Sequence, residues 1–217
     1  LQHLIQADND GSEETWLNEG MSTFSEFLGG YGHGEGSINF YLDHPENSLV
    51  NWDEHGIAET GPETIADYGQ TYLFTLYMYD KFGKDFIRDL AVDGSSQGIE
   101  SVNQQLESLG TGKTFTDVYQ NFMTALALDN SKVSSDYKFD SINLRELPIN
   151  AAGDKRGKTV DFEKALTFEK EGVPAWGGDF KEFNFDKNMR SLKFDGVDFL
   201  PLQWSTVENP LASSEQV

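Results

Sequence analysis

The feature that most constrains the fold is a change in the spacing of apolar residues near residue 132. Before it, apolar side chains recur every three to four residues, which is the period of an amphipathic helix. The longest such segment runs from Pro62, a favoured first-turn residue, to Gly83. After it, apolar and polar residues alternate, which is typical of strands. We therefore expect a helical part over 1–132 and a β-rich part over 133–217.

In the first part, Ser12 is a favoured N-cap residue, and Glu13 and Glu14 suit the positive end of the helix that would follow. Gly29 and Gly30 would end that helix. The Gly-, His- and Asp-rich stretch after it is expected to be mostly loop with one short helix. The predicted helices span 12–28, 37–42, 62–83, 84–92, 97–109 and 114–128.

In the second part, Leu192–Phe194 and Val197–Phe199 alternate around Asp195 and Gly196, which is the signature of a two-residue hairpin. The predicted fold class is therefore α+β, a mainly helical part followed by a small antiparallel β domain. Further strand-like segments span 158–168, 180–185 and 200–204.

Charge divides the chain at the same boundary. The formal net charge is −21, and residues 1–131 hold 22 acids and 4 bases whereas 132–217 hold 15 acids and 12 bases. This charge argues against nucleic acid and against an anionic membrane surface, both of which would repel the protein. No apolar run reaches the length of a membrane span. The chain has no cysteine, so a transition-metal site would have to use His, Asp or Glu.

The residues that could hold such a metal lie near the start of the chain. Glu19 sits in an apolar helical stretch, and Thr23 and Glu26 follow on the same helical face, where they could orient a metal ligand. His3 lies in a short apolar segment, and the polar turn 8–11 could bring it to Glu19. A partly exposed glutamate and a hydrogen-bonded core histidine are the ordinary alternatives. Catalytic zinc needs three protein ligands, so this pair alone is one short.

Two motifs carry a resemblance to a known family. The segment Leu1-Gln2-His3-Leu4-Ile5 resembles the end of the helical zinc motif His-Glu-x-x-His, and Trp16-Leu17-Asn18-Glu19-Gly20 resembles the third-ligand segment of the gluzincins, the thermolysin and zinc aminopeptidase group. The resemblance implies that His3 is the second histidine ligand and Glu19 the third ligand. The first histidine and the general base would then be the two residues before Leu1, so the chain is expected to be truncated inside the motif.

Later segments are most similar to hyicolysin-like bacterial neutral metalloproteases, which implies a secreted protein. These segments are Asp67–Phe74 and Val173–Phe180. The interval between His3 and Glu19 is a few residues shorter than in the best-known gluzincins. The resemblance also implies an oxyanion donor on a downstream helix. Tyr68 is our choice, with Tyr72 and His55 as alternatives and ordinary helix packing as the competing explanation for both tyrosines.

Two other features have weaker functional interpretations. The acidic segment 8–14 could bind calcium, although a capped helix with a solvated turn explains it equally well. His33 and His44 lie in polar loops and are expected to be exposed. The segment 30–36 lacks the lysine and preceding strand of a phosphate loop, so we interpret it as an active-site rim or a plain connection.

The leading functional hypothesis is peptide-bond hydrolysis by a zinc-activated water, with a peptide or protein substrate and the upstream half of the catalytic domain as partners. The 217 residues alone are then expected to be inactive. One alternative is a non-catalytic binding module, with Trp176, Phe180 and Trp204 as contact residues. Another is a degenerate peptidase that has kept the fold and lost the chemistry.

Overall fold

The structure is a computed structural model that describes residues 2–9, 11–52, 62–164 and 173–182. The described residues are mainly helical, as predicted, with two short 3₁₀ turns at Ser135–Tyr137 and Leu144–Glu146. The α-helices are α1 Gln2–Asn9, α2 Thr15–Leu28, α3 Glu35–Asp43, α4 Pro62–Phe82, α5 Lys84–Val92, α6 Gly98–Ser108 and α7 Phe115–Leu128.

The small antiparallel β domain predicted for 133–217 is not seen in the described ranges, where strand structure is limited to two segments of two residues each, β1 at Glu163–Lys164 and β2 at Lys181–Glu182. The predicted hairpin at 192–199 and the segment 200–204 lie outside the described residues. The chain divides into a unit of Leu1–Lys181, which contains all seven helices named above, and a unit of Glu182–Val217. None of the helices in the described ranges combines the length and apolarity needed to cross a bilayer.

Helix α2 begins three residues later than the proposed cap at Ser12. Its N-cap residue is Glu14, whose carbonyl oxygen accepts from the backbone N–H of Leu17 and Asn18 at 3.1 and 3.0 Å. The Glu14 carboxylate accepts from the indole N–H of Trp16 at 2.6 Å. The prediction of a Ser12 cap was wrong, because the N–H of Gly98 on α6 bonds the Glu13 carboxylate and holds the residues before α2 in another arrangement.

Helix α4 runs through the centre of the core. Its residues 71–78 are all buried, so this stretch is enclosed on every side. Phe74 lies among aromatic rings of α2 and α7, with ring centroids 5.2 to 6.1 Å apart and mostly in edge-to-face contact. These neighbouring rings are Trp16, Phe115, Tyr119 and Phe122.

Helices α2 and α4 cross in close contact at Gly20. A Cβ atom at this position would lie 2.6 Å from the Thr75 hydroxyl oxygen and 2.9 Å from the Thr71 carbonyl oxygen. Only a glycine allows the two backbones to approach this closely without displacement. The crossing therefore fixes the position of the neighbouring residue, Glu19.

The segment 173–181 packs against the helices through Trp176. The Trp176 carbonyl oxygen accepts from the Leu49 N–H at 3.0 Å, from the Gln70 side chain at 3.4 Å and from the Tyr119 hydroxyl. Its indole ring makes an edge contact with Phe115 at 4.8 Å between centroids. These contacts give Trp176 a packing role, which does not favour its use as a contact residue for a partner.

Candidate metal-binding site

His3 and Glu19 lie together, as the sequence predicts. The Nε2 atom of His3 on α1 is 3.7 Å from Oε2 of Glu19 on α2. Two ligands of one tetrahedral zinc ion, with bonds of about 2.1 Å, are about 3.4 Å apart. The His3 side chain is 48 % exposed and that of Glu19 is 24 % exposed, so the two atoms are accessible from solvent. The spacing of this pair fits two ligands of a single metal ion.

The other ring nitrogen of His3 is held by Asn18. Its Nδ1 is 2.9 Å from the Asn18 side-chain oxygen, which can only accept a hydrogen bond. In the tautomer that donates this bond, the proton lies on Nδ1, and Nε2 presents its lone pair towards Glu19. A hydrogen bond of this kind sets the tautomer and orientation of a metal-binding histidine.

The packing of α2 explains why these residues face α1. Trp16, Leu17 and Met21 of α2 are buried in the core. Asn18 and Glu19, by contrast, are only partly buried and form the polar flank of the same helix. The short connection after α1 returns the chain along this flank, which brings His3 to it.

The chemistry of the donors fits zinc, but their number is incomplete. One imidazole nitrogen and one carboxylate oxygen are ordinary zinc ligands, and no thiolate is needed. Within the described ranges, no three His, Asp or Glu side chains converge closely enough to hold a metal ion. A catalytic zinc would therefore need a further ligand in addition to His3 and Glu19.

Thr23 and Glu26 occupy the same flank of α2 further along the helix. The Thr23 hydroxyl donates to the Glu19 carbonyl oxygen at 2.9 Å, which is the usual bond of a helical threonine to the residue four positions earlier. Glu26 is exposed, two turns beyond Glu19. The structure thus joins Thr23 to the backbone of Glu19 and places Glu26 at the surface.

The two candidate oxyanion donors on α4 have different environments. Tyr68 is 37 % exposed, and its ring makes an edge contact with Trp52 at 4.9 Å between centroids. Tyr72 is only 1 % exposed, and its hydroxyl is 2.5 Å from Nδ1 of His33. Burial raises the pKa of Tyr72 well above its ordinary value. The exposed Tyr68 is therefore better placed to meet a substrate than Tyr72, and His55 lies outside the described residues.

The prediction that His33 is exposed was wrong. Its ring stacks on Phe27 with centroids 4.9 Å apart, in addition to its contact with Tyr72. The partner on α4 is 39 residues away, so no local pattern could reveal it. His44 is exposed as predicted, with Nδ1 at 3.5 Å from a carboxylate oxygen of Glu46 and both side chains more than half exposed.

Two acids of the segment 8–14, Glu13 and Glu14, accept hydrogen bonds within the protein. Glu13 accepts from the N–H of Gly98 at 2.7 Å and from that of Glu14 at 2.6 Å. The Glu14 carboxylate bonds the Trp16 indole, and Asp8 is exposed on α1. These bonds connect the start of α2 to the start of α6, which gives the two glutamates a structural role.

Sequence reasoning missed Asn18, although it lies inside the motif around Glu19. The available signal was its position next to a candidate ligand, but its contact with His3 depends on how α1 packs.

In comparison with known proteins, the sequence matches no family model, and no curated protein resembles it significantly.

Proposed function

We propose that this chain forms part of a zinc-dependent peptidase that hydrolyses peptide bonds with a metal-activated water. The observation that supports this proposal is the 3.7 Å approach of His3 Nε2 to Glu19 Oε2, with Asn18 holding the opposite ring nitrogen. An exposed histidine with a fixed tautomer, facing a carboxylate from another helix, is the arrangement that a zinc ligand pair requires.

His3 and Glu19 would hold the metal, and Asn18 would keep the imidazole oriented. Bound zinc would lower the pKa of a water molecule and polarise the scissile carbonyl group. Tyr68 would donate a hydrogen bond to the oxygen on which negative charge develops. The gluzincin resemblance would put the remaining histidine ligand and the general base before Leu1, so on this proposal we expect no hydrolysis by the 217 residues alone.

The same proposal includes the finer family placement. We place the chain among the gluzincins, near the secreted hyicolysin-like proteases, on the motifs around His3 and Glu19. We also propose a small antiparallel β domain within 133–217, because the alternation at 192–199 has the pattern of a hairpin. Calcium at the segment 8–14 stays a weaker part of the proposal, since Glu13 and Glu14 already accept hydrogen bonds there.

The experiment is a peptidase assay on the parent protein, the chain together with the sequence that precedes Leu1 in its gene. We expect hydrolysis of an unstructured protein such as casein that is lost on chelation and restored by zinc. Glu19→Ala should lose at least about 100-fold in activity, because removal of a ligand or of its support weakens metal binding by this order.

The matched control is Glu46→Ala, which removes the carboxylate of the exposed His44–Glu46 pair. This variant should retain the activity of the unmodified protein. Equal losses in the two variants, or activity that persists after chelation, would contradict the assignment. Absence of any hydrolysis by a folded, zinc-loaded parent protein would favour the binding-module or degenerate-peptidase alternative.

A further inference from the structure

The glycine-rich loop, residues 29–34, connects α2 to α3, and the amides of its first three residues donate to carbonyl oxygens of α2. Gly30 and Gly32 adopt positive φ angles of 82° and 85°, which other residues rarely adopt. Tyr31 of this loop is 86 % exposed. Beyond these bonds to α2, the loop packs against the helices through the side chain of His33.

His33 packs inward against two helices. Its ring lies almost parallel to that of Phe27 on α2, with an interplanar angle of 18°. Its Nδ1 contacts the hydroxyl of Tyr72 on α4, a side chain that is 1 % exposed. If the loop moved away, the buried Tyr72 hydroxyl would lose this partner, and such a loss costs free energy.

The position of the proton in this hydrogen bond follows from burial. Burial raises the pKa of Tyr72, so the phenol keeps its proton and donates it towards Nδ1 of His33. His33 is then neutral, with its own proton on Nε2, although a backbone hydrogen bond with Ser141 raises the pKa of the ring. Protonation of Nδ1 would remove the acceptor from the Tyr72 hydroxyl and place a charge against the Phe27 ring.

The charged groups around His33 raise its pKa, but their effect is smaller than that of burial. Glu35 in the first turn of α3 and Asp80 on α4 favour the imidazolium ion. Burial has the largest effect, and it lowers the pKa of His33 below the ordinary value of 6.5. Because the open or unfolded loop binds a proton first, the closed arrangement loses stability as the pH falls below 6.5 towards the lowered pKa.

We propose that His33 and Tyr72 form a proton-sensitive latch, which holds the glycine-rich loop against α4 at neutral pH and releases it in mild acid. The loop that the latch holds connects α2, which carries Glu19, to α3. It uses neither His3 nor Glu19, so it operates whether or not the chain binds a metal ion.

The test is amide hydrogen exchange of the full chain across the range from about pH 8 to about pH 5, corrected for intrinsic exchange rates. The reporters are the hydrogen-bonded amides of Tyr31, which donates to Glu26, and of Glu35, which donates to His33. Their protection should fall about two- to tenfold in acid, the range that corresponds to loss of one hydrogen bond. Unchanged protection of both amides across this range would overturn the proposal.

Two variants separate the latch from general acid sensitivity. His33→Gln keeps a side-chain acceptor but does not titrate, so the protection of both amides should become independent of pH. Tyr72→Phe removes only the hydroxyl, so the two reporter amides should be weakly protected at both the neutral and the acidic end of the pH range. The control His44→Gln replaces an exposed histidine and should leave the pH dependence as it is.

A pH dependence that survives in His33→Gln would refute the latch. If Tyr72→Phe does not fold, an NMR titration of the unmodified chain provides the second measurement. The His33 imidazole should titrate below 6.5, together with the loss of protection in the loop. Titration of His33 at or above 6.5 would contradict the proposal.

Discussion

Replacement of Gly69 by alanine tests how α3 and α4 are packed and therefore how Tyr68 is positioned. A Cβ atom at residue 69 would lie 2.1 Å from the carbonyl oxygen of Ser37 and 2.9 Å from Cβ of Tyr41. Real Cβ atoms rarely come closer than 3.0 Å to another atom, so one of the helices must move. The atom in the way belongs to the backbone, which a change of rotamer cannot relieve.

The expected loss of stability in Gly69→Ala is the difference between two opposing effects. Overpacking of this kind costs about 1–3 kcal/mol or more. The alanine regains about 1 kcal/mol of helix propensity relative to glycine. Because the approach to Ser37 is so short, we place the packing cost at the upper end and expect the free energy of unfolding to fall by about 2 kcal/mol. For a chain of this size, that corresponds to a fall in Tm of about 4–8 °C.

The assay is urea denaturation followed by circular dichroism, with thermal melts in parallel. The control is Gly36→Ala on α3, an exposed position with no atom within 4 Å of the added Cβ. That variant should be more stable than the unmodified chain by about 0.5–1 kcal/mol. Equal stability of Gly69→Ala and Gly36→Ala would refute the close crossing of α3 and α4.

Three further predictions concern the site and the stability of the fold. Asn18→Ala should weaken zinc binding by about 10–100-fold in a zinc titration, because the His3 ring loses its orientation. Tyr68→Phe should lower kcat of the parent protein by about 100-fold with little change in KM, as expected for an oxyanion donor. Thr114→Ala should lower the free energy of unfolding by about 1 kcal/mol in urea titrations, because Thr114 caps α7 together with Asp117. The bonds from Thr114 lower the pKa of Asp117. Their contribution to the free energy of unfolding is therefore present above pH 3.8 and is lost as the pH falls through the lowered pKa.

The elements that the sequence predicts well are those with a strong helical period. The prediction for α4 runs from Pro62 to Gly83 and the helix ends at Phe82, while α5 matches its predicted bounds. The polar turn 8–11 allowed His3 to approach Glu19, but the resemblance to the gluzincin motifs, and not the spacing, selected this pair.

The errors occurred where distant contacts determine the local structure. The start of α2 depends on the bond from Gly98 to Glu13, and the partial burial of His33 depends on Tyr72. The role of Asn18 depends on the packing of α1 against α2. None of these contacts leaves a signal in the spacing of apolar residues, which reports on one element at a time.

The most direct test of the central claim is a zinc titration of the purified chain monitored through the ¹⁵N resonances of its imidazole rings. We predict that zinc shifts the Nε2 resonance of His3 and that Glu19→Ala abolishes this shift. The Nδ1 resonance should keep the signature of a protonated nitrogen, because Asn18 accepts its hydrogen bond. If His3 responds no more strongly than the exposed His44, or responds equally without Glu19, the pair is not a metal-binding site.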